Sequence, residues 1–326
     1  MSPRLGITMA SYGHRWRNRK EPATQVPEWQ DALDVLDHCA NLGAGCLQIG
    51  VNKWTTDFAG KVRSRREALG IELEGQIRLP WKAGDLERFE SDLLAAKEAG
   101  ASVVRAVCLG GRRYESFETR AEWDQFVENS YKALERAEPV LARCQMRLGV
   151  ENHKDWRADE HLALLRHLDS EYVGITFDFG NNLALLEDPV SQAEKLAPFI
   201  VSTHTKDMAL AEFEEGFLLS EVPLGTGRLD LVKLMKICQE ANPQVWFNLE
   251  MITRDPLKVP VLTQPYWETF DSIPARDLAD RIALAKQGSA KALPQIEGLS
   301  LSETIRLEET HVRESFANSA RMPVAN

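Results

Sequence analysis

Several common signatures are missing from this 326-residue sequence, and each absence excludes a class of protein. No stretch approaches the roughly 18 apolar residues that a membrane span needs, so we expect no membrane partner. No block rich in lysine or arginine stands out and the formal net charge is −10, so we expect no nucleic-acid partner. The five cysteines form no CxxC pair, which predicts free thiols in a cytoplasmic protein.

Familiar catalytic and targeting motifs are absent as well. The sequence has no Walker motif and no GxSxG elbow, which excludes the commonest nucleotide-binding and serine-hydrolase patterns. The first residues contain no long apolar run, so we expect no secretory signal. Histidine is scarce, with seven in the whole chain, and this is too few for a site with three zinc ions.

Short apolar runs alternate with helical patterns along most of the chain. Each run is rich in Val, Ile, Leu and Phe and is bounded by polar or turn residues, as in strands that are buried on both faces. Glycines such as Gly43 and Gly70 follow the helical patterns and are expected to end those helices. The eight runs cover residues 5–9, 46–49, 71–77, 103–108, 148–151, 174–178, 200–204 and 245–250.

This alternation predicts an α/β fold, a (β/α)8 TIM barrel over residues 1–287. Parallel strands need crossover connections, and eight such units in about 290 residues suggest closure into a barrel. The competing fold is an open doubly wound sheet, which usually carries a GxGxxG turn after its first strand. That fingerprint is absent here.

The composition changes in residues 288–326, which we treat as a C-terminal extension. Ser300 and Glu303 form a capping-box pattern that predicts the start of a helix. A partly disordered tail and a helix that packs on a neighbouring subunit are equally consistent with this pattern. In the second case the chain is a homo-oligomer and the extension is its arm. The apolar stripe of the helix comprises Leu301, Ile305, Val312 and Phe316.

Four consecutive predicted strands end in a side chain that can bind a metal: Glu151, Asp178, His204 and Glu250. The carboxyl ends of barrel strands meet at one mouth, so these side chains should converge. Three carboxylates crowded together repel one another unless a cation lies between them. With one imidazole they suit a single divalent ion such as Mn²⁺, Mg²⁺ or Co²⁺. The long gap before Glu250 predicts an insertion over residues 208–228.

Two further polar side chains lie on predicted strands and are candidates for binding the substrate. Arg105 interrupts the apolar fourth strand, and a charge there must face a polar mouth or a partner. Gln48 lies on the second strand and could bind a hydroxyl group. Ordinary barrel packing is the competing interpretation for both residues.

Over residues 5–285 the sequence resembles the xylose isomerase-like TIM-barrel superfamily, the sugar phosphate isomerase/epimerase group. The resemblance rests on the order of the four candidate ligands and on three motifs: ENH at 151–153, HTKD at 204–207 and LGTGRLD at 224–230. It implies a one-metal enzyme on a small carbohydrate. It also implies that Glu151 and Glu250 form an acid/base pair, that Asp178 and His204 are ligands only, and that His153 and Lys206 lie near the substrate.

The sequence departs from the ketose 3-epimerase branch of that group at two positions. That branch typically has histidine where this chain has Asn181, which we count as a candidate substrate contact, and arginine where it has Leu210. The leading hypothesis is a metal-dependent isomerase or epimerase that transfers protons on a keto sugar through an enediolate. The alternative is a lyase or dehydratase that acts by β-elimination on a keto sugar, keto inositol or 3-keto glycoside. A non-catalytic sugar-binding barrel is a third interpretation, which four intact ligands argue against.

Overall fold

Eight parallel strands close into a barrel in the computed structural model, which describes residues 4–20, 28–288 and 292–322. Neighbouring barrel strands follow chain order, and the first closes the ring by pairing with both the second and the last. The predicted (β/α)8 TIM barrel is therefore confirmed. The strands are β1 Leu5–Thr8, β2 Cys46–Gly50, β3 Glu72–Gln76, β4 Val103–Ala106, β5 Arg147–Glu151, β6 Val173–Asp178, β7 Ile200–Thr205, β8 Asp207–Phe213, β9 Gly216–Val222, β10 Phe247–Leu249 and β11 Leu257–Val259.

Helices connect the barrel strands and cover their outer faces. Helix α2 (Ala32–Leu42) ends at Gly43 and helix α3 (Thr56–Leu69) ends at Gly70, both with positive φ (84° and 68°), as predicted for glycines that stop a helix. None of the described helices is long and apolar enough to cross a membrane. The helices are α1 Gly13–Arg17, α2 Ala32–Leu42, α3 Thr56–Leu69, α4 Leu86–Glu98, α5 Arg113–Ser116, α6 Arg120–Cys144, α7 Ala158–Leu168, α8 Pro189–Leu196, α9 Leu231–Ala241, α10 Gln264–Trp267, α11 Ala275–Lys286 and α12 Leu301–Ser319.

The barrel strands are buried on both faces. All six residues of β6 and all four residues of β1 are buried, because helices cover the outer face and side chains from the other strands fill the interior. This explains why these strands read as continuous apolar runs rather than as an alternation of apolar and polar residues.

A second, smaller sheet has two of its strands between β7 and β10, where the sequence spacing predicts an insertion, and its third strand after β10. Strands β8 and β9 form an antiparallel hairpin, and β11 pairs with β9 to complete three strands. Its apolar face has a core of its own, which includes Leu210, Leu219 and Tyr266. Leu210, noted above for its departure from the epimerase branch, is thus a buried packing residue of this sheet.

The sequence left open whether the C-terminal extension is a partly disordered tail or a helix, and the structure shows a helix. Ser300 and Glu303 form the predicted capping box of α12, and Ile305 and Val312 are buried. The helix lies on its own barrel: Glu308 accepts hydrogen bonds from the backbone N–H groups of residues 14 and 15, at 2.6 and 3.0 Å. Within the extension, residues 289–291 and 323–326 lie outside the described residues. The homo-oligomer stays a prediction.

Candidate metal centre

The four predicted ligands converge at the carboxyl end of the barrel. Glu151 ends β5, Asp178 ends β6, His204 lies near the end of β7 and Glu250 directly follows β10. The register places Asp178 beside His204 in the sheet. All four side chains are buried, and one candidate ligand atom from each lies within 4.8 Å of the other three. We call these four residues the mouth cluster.

The imidazole of His204 faces the three carboxylates. Its Nδ1 lies 3.3 Å from Glu151 Oε2, 3.3 Å from Glu250 Oε1 and 3.9 Å from Asp178 Oδ2. Among the described residues, Nδ1 has no hydrogen bond of good geometry. A buried polar atom normally has a partner, so a nitrogen surrounded by oxygens at these distances fits a bound cation.

The tautomer of His204 is fixed by Gln48, which lies on the side of the ring away from the three carboxylates. Its Nε2 lies 2.7 Å from Gln48 Oε1, and Gln48 Nε2 lies 3.0 Å from Glu74 Oε2. Because a carboxylate accepts, the amide must direct its N–H to Glu74 and its oxygen to the imidazole. His204 therefore donates from Nε2 and keeps the lone pair of Nδ1 for the mouth, as metal-binding histidines usually do. Gln48 itself is fully buried behind the imidazole and does not reach the mouth.

The electrostatics of the mouth cluster also fit a cation. Burial raises the pKa of Asp178 to about 6; Lys206 opposes this shift, while the charges of Glu250 and Glu151 add to it. Burial lowers the pKa of His204, but the two glutamates outweigh it and the net shift is upward. The cluster thus favours an added positive charge at its centre. Three carboxylates and one imidazole match the donor preferences of a hard to borderline divalent ion.

Two basic side chains and one amide surround the mouth cluster. Arg105 Nε donates to Glu151 Oε2 at 2.6 Å, and this arginine is 16% exposed at the mouth. Lys206 Nζ lies 2.8 Å from Asp178 Oδ2 and also bonds to Glu250. Asn181 donates from Nδ2 to Glu151 Oε1 at 3.0 Å. The structure therefore brings Arg105, Lys206 and Asn181 to the predicted ligands.

His153 lies beside the mouth cluster and is half-buried. Its Nδ1 is 2.9 Å from the carbonyl oxygen of Leu109, which can only accept, so Nδ1 carries the proton. Burial lowers the pKa of His153 to about 4, against the opposing charge of Glu151. The ring is therefore neutral near pH 7, and its Nε2 has a lone pair.

Sequence reasoning missed three charged residues of the site. Glu221 is the penultimate residue of β9 and accepts from Arg254 Nε at 3.1 Å, and its carboxylate lies 4.0 Å from Lys206 Nζ. Lys154 follows ENH in the loop after β5 and is only 3% exposed. Glu221 could have been identified from the sequence as a charged residue within the predicted insertion. Nothing in the local pattern distinguished Lys154 from a surface lysine.

The chain belongs to the xylose isomerase-like TIM barrel family, which matches residues 80–272. It is 28% identical over 232 residues to 3-oxo-isoapionate decarboxylase of Pectobacterium atrosepticum, covering 69% of this chain and 78% of that relative. D-psicose 3-epimerase of Clostridium cellulolyticum H10 has the same fold, with a TM-score of 0.62 and 12% identity over 98% of both chains. The probable 3-DHS dehydratase of Bacillus anthracis matches with a TM-score of 0.57 and 14% identity, over 75% of this chain and 91% of that one.

Proposed function

We propose that the protein is a divalent-metal-dependent isomerase or epimerase that transfers protons on a keto sugar or a related small carbohydrate. The observation that carries the proposal is the convergence of His204 Nδ1 and three carboxylates at one buried point of the barrel mouth. The mouth cluster would hold a single Mn²⁺, Mg²⁺ or Co²⁺, and such an ion would supply Lewis acidity for a developing enediolate. Membership of the xylose isomerase-like family and the fold shared with D-psicose 3-epimerase support this class of chemistry.

Glu151 and Glu250 are the proposed acid/base pair. The barrel order β10-β7-β6-β5 puts them at the two ends of the arc, with His204 and Asp178 between them. Burial raises the pKa of each glutamate, but the basic neighbours outweigh it and the net shift is downward. Both therefore stay ionised and able to accept a proton. Carboxylates on opposite sides of a substrate can remove a proton from one carbon or face and return it at another.

The remaining polar groups at the mouth are proposed to bind the substrate. Arg105 and Lys206 supply charged donors beside the two glutamates. His153, neutral and protonated at Nδ1, offers its Nε2 as an acceptor for a hydroxyl group. Gln48 is better placed to orient His204 than to touch the substrate, because its side chain is fully buried and bonds to His204, Glu74 and Gln76.

A second candidate is a carbon–carbon lyase that decarboxylates a 3-oxo sugar acid. The similarity to 3-oxo-isoapionate decarboxylase over more than two thirds of both chains favours it. In that reaction the bond to the carboxylate breaks, carbon dioxide leaves, and the electron pair enters the same enediolate. Only one proton must then be returned, so one of the two glutamates suffices. β-Elimination begins with the same proton abstraction as isomerisation and remains the third outcome.

The test is a deuterium wash-in screen over neutral keto sugars, 3-keto glycosides and a freshly prepared 3-oxo sugar acid, each with Mn²⁺, Mg²⁺ or Co²⁺. The isomerase proposal expects deuterium in a product with an intact carbon skeleton and one inverted or moved centre. Release of carbon dioxide identifies the decarboxylase, and loss of water or an aglycone identifies an eliminating lyase. Absence of exchange and of product with every metal and substrate would contradict the proposed enzyme.

A further inference from the structure

Lys154 is a buried cation without a carboxylate of its own. Its ammonium donates one hydrogen bond, to Asn181 Oδ1, and lies within 4.0 Å of no carboxylate in the described part of the chain. Other basic groups at the mouth are each paired: Arg105 with Glu151, and Arg254 with Glu221. A buried charge is costly unless a partner compensates it. Among these basic groups, Lys154 is therefore the one that an anionic ligand would compensate.

The backbone directs this lysine inward. Lys154 has a φ of 60°, in the left-handed region that lysine rarely adopts. The loop is held in that shape because Asp155 Oδ1 accepts from the N–H groups of His153 and Trp156, both at 2.9 Å, and the carbonyl of Lys154 accepts from Arg113 N at 3.0 Å. Backbone strain of this kind concentrates at functional sites, where the surrounding structure maintains it.

With a divalent ion bound, the net charge of the site would favour an anionic ligand. Three cations, on Arg105, Lys206 and Arg254, pair with four carboxylates: those of Glu151, Asp178, Glu221 and Glu250. A divalent ion turns this deficit into a positive surplus, and the ammonium of Lys154 adds to it. Asp155 forms no ion pair with Lys154, because its carboxylate accepts instead from the backbone amides of Leu109, His153 and Trp156.

The position of the ammonium limits where the anion sits on the substrate. Asn181 accepts from Lys154 at Oδ1 and donates from Nδ2 to Glu151 Oε1 at 3.0 Å. Only one side chain therefore separates the ammonium from a proposed ligand. An anionic group bound there belongs to the carbon chain next to the reacting centre, as a carboxylate does, rather than to a phosphate at the far end of a sugar.

We propose that the substrate is a keto sugar acid and that Lys154 binds its carboxylate, with Asn181 as the positioning residue for the ammonium. The inference rests on the proposed function, since it assigns the substrate class of the same site. It is independent of which bond the enzyme breaks.

Binding of unreactive analogues to the Mn²⁺-loaded protein tests this inference without requiring turnover. The probes are threonate, its uncharged counterpart threitol, and glycerol 3-phosphate, with affinities measured by calorimetry. Wild-type protein should prefer threonate to threitol, and the Lys154→Met variant should bind threonate about 10- to 100-fold more weakly, the scale of a lost charge-assisted hydrogen bond. Its affinity for threitol, measured with both proteins saturated with Mn²⁺, should be unchanged. Lys154→Arg should recover part of the loss, and Lys233→Met, on the exposed face of α9, should lose nothing.

Three outcomes would overturn the inference. They are an unchanged ratio of threonate to threitol affinity in Lys154→Met, no preference for threonate in the wild-type protein, and tighter binding of glycerol 3-phosphate than of threonate. The wild-type comparison applies even if a variant fails to fold. Deuterium exchange on neutral keto sugars without any threonate preference would contradict this inference alone, whereas a threonate preference without exchange or product would contradict the proposed function alone.

Discussion

Two clusters of buried polar residues lie in successive layers inside the barrel. They differ in how the hydrogen-bond donors and acceptors of their side chains are satisfied. The upper one is the mouth cluster. The lower one, which we call the inner network, consists of Gln48, Glu74, Ser202 and Asn248. Glu74 Oε2 accepts from Gln48 at 3.0 Å, from Ser202 at 2.5 Å and from Asn248 at 3.0 Å. In the inner network donors surround one carboxylate, whereas in the mouth cluster three carboxylates surround a bare nitrogen.

The comparison separates structural from functional buried charge. Three donors satisfy Glu74 Oε2 without a ligand, although burial raises the pKa of Glu74 against the hydrogen bonds from Ser202 and Gln48. One acceptor of the inner network, Asn248 Oδ1, has no hydrogen bond among the described residues. The mouth cluster is incomplete without a ligand, since Asp178 and the two glutamates repel each other. Gln48 joins the two groups because it bonds to Glu74 below and to His204 above. We therefore expect substitutions in the mouth cluster to affect activity and substitutions in the inner network to affect stability. A substitution of Gln48, which joins the two, should affect metal binding.

The largest expected effect is on turnover. Glu151→Gln and Glu250→Gln should still bind Mn²⁺, though more weakly, because the amide keeps one oxygen for coordination. Each should lose roughly 10²–10⁴-fold or more in turnover at saturating metal, the usual scale for a positioned acid or base. Asp178→Asn is the matched comparison and should be partly rescued by excess Mn²⁺. Near-normal turnover in both glutamine variants would make the acid/base assignment wrong and would direct attention to His153 or Lys206.

The next effect is on metal affinity. Gln48→Met removes the acceptor that fixes the tautomer of His204, and we expect Mn²⁺ to bind about 10- to 100-fold more weakly, as is typical when a partner behind a metal-binding histidine is lost. Gln76→Met is the control, since Gln76 bonds to Gln48 and Thr8 rather than to His204. Calorimetric titration with Mn²⁺ measures both. Equal losses in the two variants would mean that Gln48 does not act through the imidazole.

A smaller effect is expected on the stability of the inner network. Glu74→Gln replaces the charged acceptor of three buried hydrogen bonds by a weaker, neutral amide oxygen, which costs about 1–3 kcal/mol in the free energy of unfolding. Glu72→Gln, on the same strand but exposed, is the control and should change little. Urea denaturation of the metal-free proteins measures the difference. If Glu74→Gln is as stable as Glu72→Gln, the inner network does not contribute as its geometry indicates.

The smallest expected effect is on the pH dependence of stability, and it comes from a histidine that belongs to neither the mouth cluster nor the inner network. His161 on α7 is fully buried, and neither ring nitrogen has a hydrogen bond among the described residues, yet no carboxylates converge on it. Burial lowers its pKa to about 3, from about 6.5 in the unfolded chain, so the unfolded chain binds the extra proton between these values. Its contribution to stability is complete above pH 6.5 and falls by about 1.4 kcal/mol per pH unit as the pH decreases toward 3.

Substituting His161 by Phe should remove this part of the pH dependence. Between pH 7 and pH 5 the wild-type protein should lose about 2 kcal/mol more stability than His161→Phe, as measured by urea denaturation at the two pH values. His167→Phe, at an exposed position of the same helix, should behave like the wild type. Parallel pH profiles for wild type and His161→Phe would show that this histidine does not stay neutral on folding.

The barrel and the four candidate ligands were predictable because both depend on strand order. Apolar runs identify strands that are buried on both faces, and parallel strands of a barrel deliver their last residues to one mouth. Glu151 and Glu250 therefore could be placed together although 99 positions separate them. The helix α12 was predictable from its capping box, but its contacts were not, since Glu308 binds backbone N–H groups that any sequence offers.

The other site residues depend on details that local patterns do not carry. Arg254 reaches Glu221 because the segment that carries it leads into β11, which pairs with β9, and no spacing rule determines that pairing. Lys154 depends on a left-handed backbone conformation that lysine rarely adopts. Gln48 was expected at the substrate and lies behind His204 instead, because a glutamine on a barrel strand looks the same in sequence whether it points to the mouth or to the layer beneath.

Metal stoichiometry tests the central claim most directly. Protein stripped with a chelator and reconstituted with Mn²⁺ should hold about one equivalent per chain by elemental analysis, and its melting temperature should rise with the metal concentration, because a ligand that binds only the folded state stabilises it. His204→Ala should lose that binding and that stabilisation. An ion bound by His204→Ala with unchanged affinity, or no stoichiometric binding by the wild-type protein, would contradict the assignment of the mouth cluster as a metal centre.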